Sequence, residues 1–215
     1  MKKLSSLLVS FVLVLYPTVI YAREIKPIKL MQPQMDAGRP LMRVLKDRKS
    51  SREFSSEKLS LQTLSNLLWA AFGVNRPSSG KRTAPSAVNW QEIDIYVATA
   101  DGLYLYDAMK HLLMPILNED IRALAGTQRF VKDAPINFVF VADFSKMGRA
   151  GTEEKNFYSA TDTGFISQNV YLYCASEGLA TVVRGLIDRD ALSKAMKLRP
   201  DQKIILAQTV GYPKK

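Results

Sequence analysis

The chain has 215 residues, with 30 Lys and Arg against 20 Asp and Glu, one cysteine and one histidine. The net charge of +10 suits anionic partners: nucleic acid, a membrane surface or a phosphorylated small molecule. Lone Cys174 excludes an intramolecular disulfide, and a single histidine, His111, leaves too few ligands for a Cys/His zinc site. No zinc-finger spacing, helix-turn-helix pattern or RNA-reading signature occurs, so nucleic acid is set aside.

Residues 1–22 read as an export signal. Lys2 and Lys3 precede an apolar run from Leu7 to Ala22, and Ala22 is a small residue suited to cleavage before Arg23. The run contains Pro17 and is short for a bilayer span of about 20 residues, so an uncleaved anchor is the alternative. The expected location is periplasmic or secreted. Residues 23–38, polar and with two prolines, form an extended arm, and 39–215 suit one domain.

A short helix starts at Pro40, with Leu41, Met42 and Leu45 at helical spacing. "SLQTLSNLLWAAFG", 60–73, is a second helix, capped by Ser60 and ended by Gly73. A long Pro/Gly/Ser-rich loop follows. "EIDIYVAT", 92–99, alternates as a strand, Asp101-Gly102 reads as a two-residue hairpin turn, and "LYLYD" returns. Residues 119–125 suggest a short helix. "INFVFVAD", 136–143, is apolar nearly throughout, a strand covered on both faces. Residues 160–177 form a long helix with apolar residues on several sides, closed by Gly178. "LATVV" is a strand, 189–197 a helix and "KIILAQTVG" the last strand. The class is α+β.

Three segments carry candidate chemistry. In "DRKSSREF", 47–54, Arg48, Ser50 and Arg52 alternate, so in an extended segment they share one side, with Lys49 beside them. Guanidinium forks and a compact hydroxyl suit a phosphate, and a solvated loop is the plain alternative. In "RTAPSAVNWQE", 82–92, Pro85 stiffens the backbone, Ser86 and Ala87 admit a flat ligand, and Asn89 offers a donor and an acceptor. In "VVRGLID", 182–188, Gly185 allows close backbone approach, or is simply a turn. Lys214 and Lys215 end the chain as a second clamp or a solvated tail.

Together these segments resemble the flavin-dependent nitroreductase superfamily. "RKSSREF" is similar to its R-x-S-x-R-x-F motif, "LSNLLWAAFGVNR" to its following helix, and "APSAVNWQEIDIYVA" to its P-S-A-x-N-x-Q segment. "QNVYLYCASEGLATVVRG" resembles its central helix and flavin-facing turn, and "VGYPK" its last-strand G-Y-P. The closer likeness is to the branch that includes the azoline dehydrogenases. The resemblance implies a mainly antiparallel sheet flanked by helices, a homodimer, and one FMN in each of two interface clefts. It implies phosphate contacts from Arg48, Lys49, Ser50 and Arg52, completed by Lys214 and Lys215. Ring and ribityl contacts fall to Pro85, Ser86, Ala87 and Asn89, and a backbone amide at Arg184 and Gly185 faces the reactive nitrogen. Arg184 stands where some members carry an acid, and Glu92 where the family often has proline. The implied activity is two half-reactions through flavin, between an unnamed small-molecule donor and acceptor. A flavin carrier without turnover and a non-flavin phosphate-binding module are the alternatives.

Overall fold

The computed structural model describes residues 24–214. The expected signal, 1–22, and Lys215 lie outside the described residues. In chain order the elements are β1 (Ile28–Lys29), α1 (Leu41–Asp47), α2 (Leu61–Phe72), β2 (Val74–Arg76) and β3 (Lys81–Arg82). Then come β4 (Ile93–Thr99), β5 (Gly102–Asp107), β6 (Leu112–Leu117), α3 (Phe130–Asp133) and β7 (Ile136–Asp143). The chain finishes with α4 (Thr152–Glu177), β8 (Ala180–Arg184), α5 (Arg189–Ala195) and β9 (Gln202–Gly211).

Seven strands form one sheet in the order β1-β6-β5-β4-β7-β9-β8, and every neighbouring pair is antiparallel. Side chains alternate across a strand, so β4 sends Ile93, Ile95 and Val97 to one face and Tyr96 and Ala98 to the other. The first face packs under α2 and α4, against Leu67, Leu68, Phe72, Ile166 and Val170. The second meets Ile121, Val131, Leu192 and Met196. All eight residues of β7 are buried, as its continuous apolar run requires when both faces are covered. No helix among the described residues is long and apolar enough to cross a membrane.

Three expectations are corrected. The hairpin turn is Ala100-Asp101, since Thr99 pairs with Gly102. Gly102 opens the returning strand at φ +147°, and a side chain there would run into the Leu117 carbonyl. The central helix starts at Thr152, eight residues before its apolar pattern, with Glu153 and Glu154 in a first turn where negative charge suits the helix dipole. Residues 122–125 make only a 3-10 turn. β6 carries Pro115, which pairs with Tyr104 next to a register shift between Leu103 and Tyr104.

The N-terminal arm is tied to its own chain. Ile28 and Lys29 pair with β6, and Met31 N and Gln34 N donate to Ser65 Oγ (2.9 Å) and Asn66 Oδ1 (3.0 Å) on α2. Arg39 N donates to Ser176 Oγ at 2.9 Å and its guanidinium to the Ala175 carbonyl at 2.6 Å.

Candidate functional site

The basic segment leaves α1 and lies along β8. Ser51 N donates to the Thr181 carbonyl at 2.9 Å, and Phe54 pairs with Pro213. Lys214 N reaches the Glu53 carbonyl at 3.3 Å. Arg48, Lys49, Ser50, Arg52, the start of the β8 turn and Lys214 are thereby gathered at one end of the sheet.

Tyr171 of α4 organises this end. Its hydroxyl accepts the Val183 N–H at 3.0 Å and meets Ser50 Oγ at 2.8 Å, while its ring lies 5.3 Å beneath the Arg48 guanidinium. If Tyr171 donates to Ser50, the Ser50 hydroxyl keeps its own proton for a ligand. Tyr171 was not picked out from sequence; its place in "YLYC" marked it only as one more apolar position of a buried helix.

The charges here are free. Among the described residues Arg48, Lys49, Arg52 and Lys214 form no ion pair, whereas Arg39, Lys58, Arg122, Lys146 and Arg199 each meet an aspartate within 3.1 Å. Lys49 and Ser51 line a cavity of about 260 Å³ with Tyr171, Ala180 and Thr181. That is smaller than the usual ligand pocket of about 300–1,000 Å³. A wider depression of about 1150 Å³ lies beyond Phe54 and Tyr212; of the candidate residues only Lys214 lines it.

Gly185 follows β8 two residues after Val183. A side chain added there would come no nearer than 3.7 Å to Leu206, an ordinary contact, and no positive φ demands glycine. Nothing within the chain explains its small size. The Arg184 side chain turns away from this end into the opposite layer. It donates to the Ala125 carbonyl (2.6 Å), Asn137 Oδ1 (2.8 Å) and Thr209 Oγ1 (2.8 Å), under the Phe130 ring. Burial pushes its pKa down to about 10, and no carboxylate pairs with it among the described residues. Of Arg184, only the backbone is left for a ligand.

The Pro85–Asn89 segment is elsewhere. Ser86 Oγ accepts Gln91 N at 2.8 Å, Asp162 Oδ2 accepts Ala87 N at 2.8 Å, and Asn89 Oδ1 takes the Gln91 side-chain amide at 3.1 Å. Val88, Asn89 and Gln91 all have φ between 49° and 59°, and Val88 is 80% exposed. Its anchor Asp162 and the basic segment's anchor Tyr171 sit nine residues apart on α4, about 13 Å along the axis and half a turn around it. The two clusters therefore occupy opposite flanks of the buried stripe of α4.

The Nitroreductase family profile matches residues 45–212. A candidate nitroreductase of Methanocaldococcus jannaschii is 34% identical over 166 residues, 73% of this chain and 83% of that protein. The crystal structure of a candidate nitroreductase from Ralstonia eutropha is 42% identical, with TM-score 0.85, covering 95% of this chain and 97% of that one. A chain of the Escherichia coli microcin synthetase complex with bound truncated precursor shares the fold at 19% identity, TM-score 0.68, covering 96% of this chain and 85% of that one. With its fold and these relatives in agreement, the chain belongs to the nitroreductase family of oxidoreductases.

Proposed function

We propose that the protein is an FMN-dependent oxidoreductase that works as a homodimer, with each flavin held between two subunits. The observation that carries this reading is the cluster of unpaired cations, Arg48, Lys49 and Arg52, around Ser50 at the end of β8. Half-buried Arg48 and exposed Arg52, with no carboxylate paired to either among the described residues, leave guanidinium forks open to a doubly charged phosphate. The unexplained smallness of Gly185, close to that cluster, supports a flat group lying against the turn. The residues present fit the cofactor.

In this reading Arg48, Ser50 and Arg52, with Lys49, Lys214 and Lys215, hold the phosphate. Pro85, Ser86, Ala87 and Asn89 border the ring, and the Gly185 amide lies beside it. Bound flavin supplies the two-electron chemistry; the chain binds, orients and excludes water. The backbone amide and nearby cations favour negative charge on the ring.

The homodimer is supported by the geometry of α4. One chain presents the phosphate cluster and the ring-bordering loop on opposite flanks, so a second copy can bring its loop to the first copy's socket. The outward faces that would meet are apolar: Leu41 and Met42 on α1 and Phe157 and Phe165 on α4 are 61%, 77%, 64% and 45% exposed. Such residues on adjacent helices suit a partner more than water. Within the arm of 23–38, Ile28, Lys29, Met31 and Gln34 bond to their own chain.

The azoline-dehydrogenase branch remains part of the proposal and rests on the motif wording of residues 48–92 and 168–185. Export rests on residues 1–22. The donor in a periplasmic or secreted setting is then a small reductant other than abundant cytosolic nicotinamide.

The test is FMN titration of apo-protein and of Arg48→Ala. One charge-assisted contact is worth roughly 1.5–3 kcal/mol, so affinity should fall by about ten- to a hundredfold. Unchanged affinity removes Arg48 from the site.

A further inference from the structure

Two acids lie under the Ser86–Asn89 loop. Glu92, at the foot of β4, is completely buried, and Asp162 on α4 is 2% exposed. Glu92 Oε2 accepts from Ser86 Oγ at 3.3 Å, and Glu92 Oε1 has no hydrogen-bond partner. Ser159 Oγ, spent on a long 3.5 Å contact to Met147 Sδ, is close enough to bear on Glu92. Asp162 Oδ2 takes the Ala87 N–H at 2.8 Å, and its carboxyl also bears on Ser86 and Glu92.

No cation balances them. Among the described residues neither acid has an ion pair, although seven other carboxylate contacts to Lys or Arg are made. Lys155, the nearest cation along α4, points at the Phe144 carbonyl (3.1 Å), and Tyr158 packs edge-on against Trp90. Both acids are bonded to the loop, Asp162 at Ala87 N and Glu92 at Ser86 Oγ.

That loop needs holding. Three non-glycine residues within four positions, Val88, Asn89 and Gln91, adopt left-handed φ, each costing on the order of 1 kcal/mol or more. The bonds that oppose this strain run to the acid pair: Asp162 to Ala87 N, and Glu92 through Ser86 Oγ to Gln91 N.

We propose that Asp162 and Glu92 are positioning residues for the ring-bordering loop, pinning Ser86–Asn89 against α4 in the shape that meets flavin. The inference rests on the flavin reading above. Two buried carboxylates that hold one short loop with no cation beside either are too costly to ionise together, so the pair keeps one proton. Burial raises both pKa values, and the Asp162 charge raises Glu92 further. The Ala87 N–H favours charge on Asp162, and the orphaned Oε1 favours the proton on Glu92, though the titration belongs to the pair. Because the folded pKa is raised, the anchoring is complete at low pH and weakens as pH climbs through the pair's upper pKa, when the second carboxyl ionises.

Three variants test this on the full-length protein. Glu92→Gln copies the protonated acid. Asp162→Asn still accepts Ala87 N–H and can donate to Glu92. Asp162→Ala removes the acceptor. Infrared spectra of apo-protein at neutral pH should contain a protonated-carboxyl band that Glu92→Gln abolishes. Exchange of the Ala87 and Gln91 amide hydrogens should quicken about tenfold in Asp162→Ala and stay within about threefold of wild type in Asp162→Asn. FMN affinity should decline with rising pH in wild type and lose that slope in Glu92→Gln. A missing carboxyl band overturns the shared proton, and unchanged amide exchange in Asp162→Ala overturns the anchoring. Failure to take up FMN, with band and exchange as expected, overturns the flavin reading and leaves the anchor standing.

Discussion

Tyr171→Phe isolates one oxygen atom at the candidate phosphate socket. The phenyl ring stays beneath Arg48, 5.3 Å from its guanidinium, so packing and most of the cation–π contact persist. What goes is the hydroxyl that joins Val183 N at 3.0 Å to Ser50 Oγ at 2.8 Å. Each neutral hydrogen bond is worth roughly 0.5–1.5 kcal/mol net, and the half-buried Val183 N–H is left without its acceptor, at roughly 1–3 kcal/mol. The folded apo-protein should lose about 2 kcal/mol, read as a lower denaturation midpoint at constant slope. Flavin should suffer separately. Ser50 loses the bond that orients it, worth about 1 kcal/mol, or about fivefold in affinity. Fluorescence titration of apo-protein with FMN, below the unfolding transition, reads this directly. Wild-type affinity together with lowered stability would make Tyr171 a strut and refute its role in arranging the socket.

Further outcomes follow from neighbouring residues. Gly185→Ala should leave apo-protein stability within about 1 kcal/mol of wild type, since the site is open and the backbone acceptable. It should nonetheless weaken FMN binding; equal binding would show that nothing approaches this backbone. Arg184→Ala should cost about 3 kcal/mol or more in thermal or denaturant unfolding, as a buried charged network is broken. Its effect on flavin affinity should be small, and a large selective loss would restore the side chain to the site. His111 donates Nε2–H to the Met31 carbonyl (2.9 Å) and accepts the Tyr106 hydroxyl at Nδ1 (3.0 Å) as a neutral ring. Burial lowers its pKa, so its contribution is full above the unfolded value of about 6.5 and is lost as pH falls through the folded one. Proteolysis of the arm should accelerate as pH falls below the ordinary histidine value of about 6.5, and this pH dependence should vanish in His111→Gln.

The segments that repeat a simple period were legible in sequence. The 92–99 alternation, the unbroken apolar run of 136–143 and the Ser60-capped helix each follow from which side chains must leave water. Legibility stopped where tertiary partners decide. Residues 112–117 show no clear period, and their pairing as β6, which skips Ile116, is decided by β5. "TEEKNFYS" has no apolar stripe, and only its place at the start of a helix already anchored downstream makes it helical. The arm looked unattached because its partners, Ser65, Asn66 and His111, are all distant in sequence. At the candidate site, Arg48, Ser50 and Arg52 were readable as a phosphate pattern. Tyr171 and Asp162 were not, since nothing local separates an aromatic or acid that supports a site from one that fills a core. Arg184 misled for the same reason: the turn was identified, but the side chain's direction depends on acceptors from Ala125, Asn137 and Thr209.

The most direct measurement is the visible absorbance spectrum of protein purified from its native compartment, followed through anaerobic reduction. The expected result is a yellow protein whose flavin bands bleach with a small-molecule reductant and return with an acceptor, with one FMN per chain. A colourless protein that also refuses added FMN, while folded and dimeric, contradicts it.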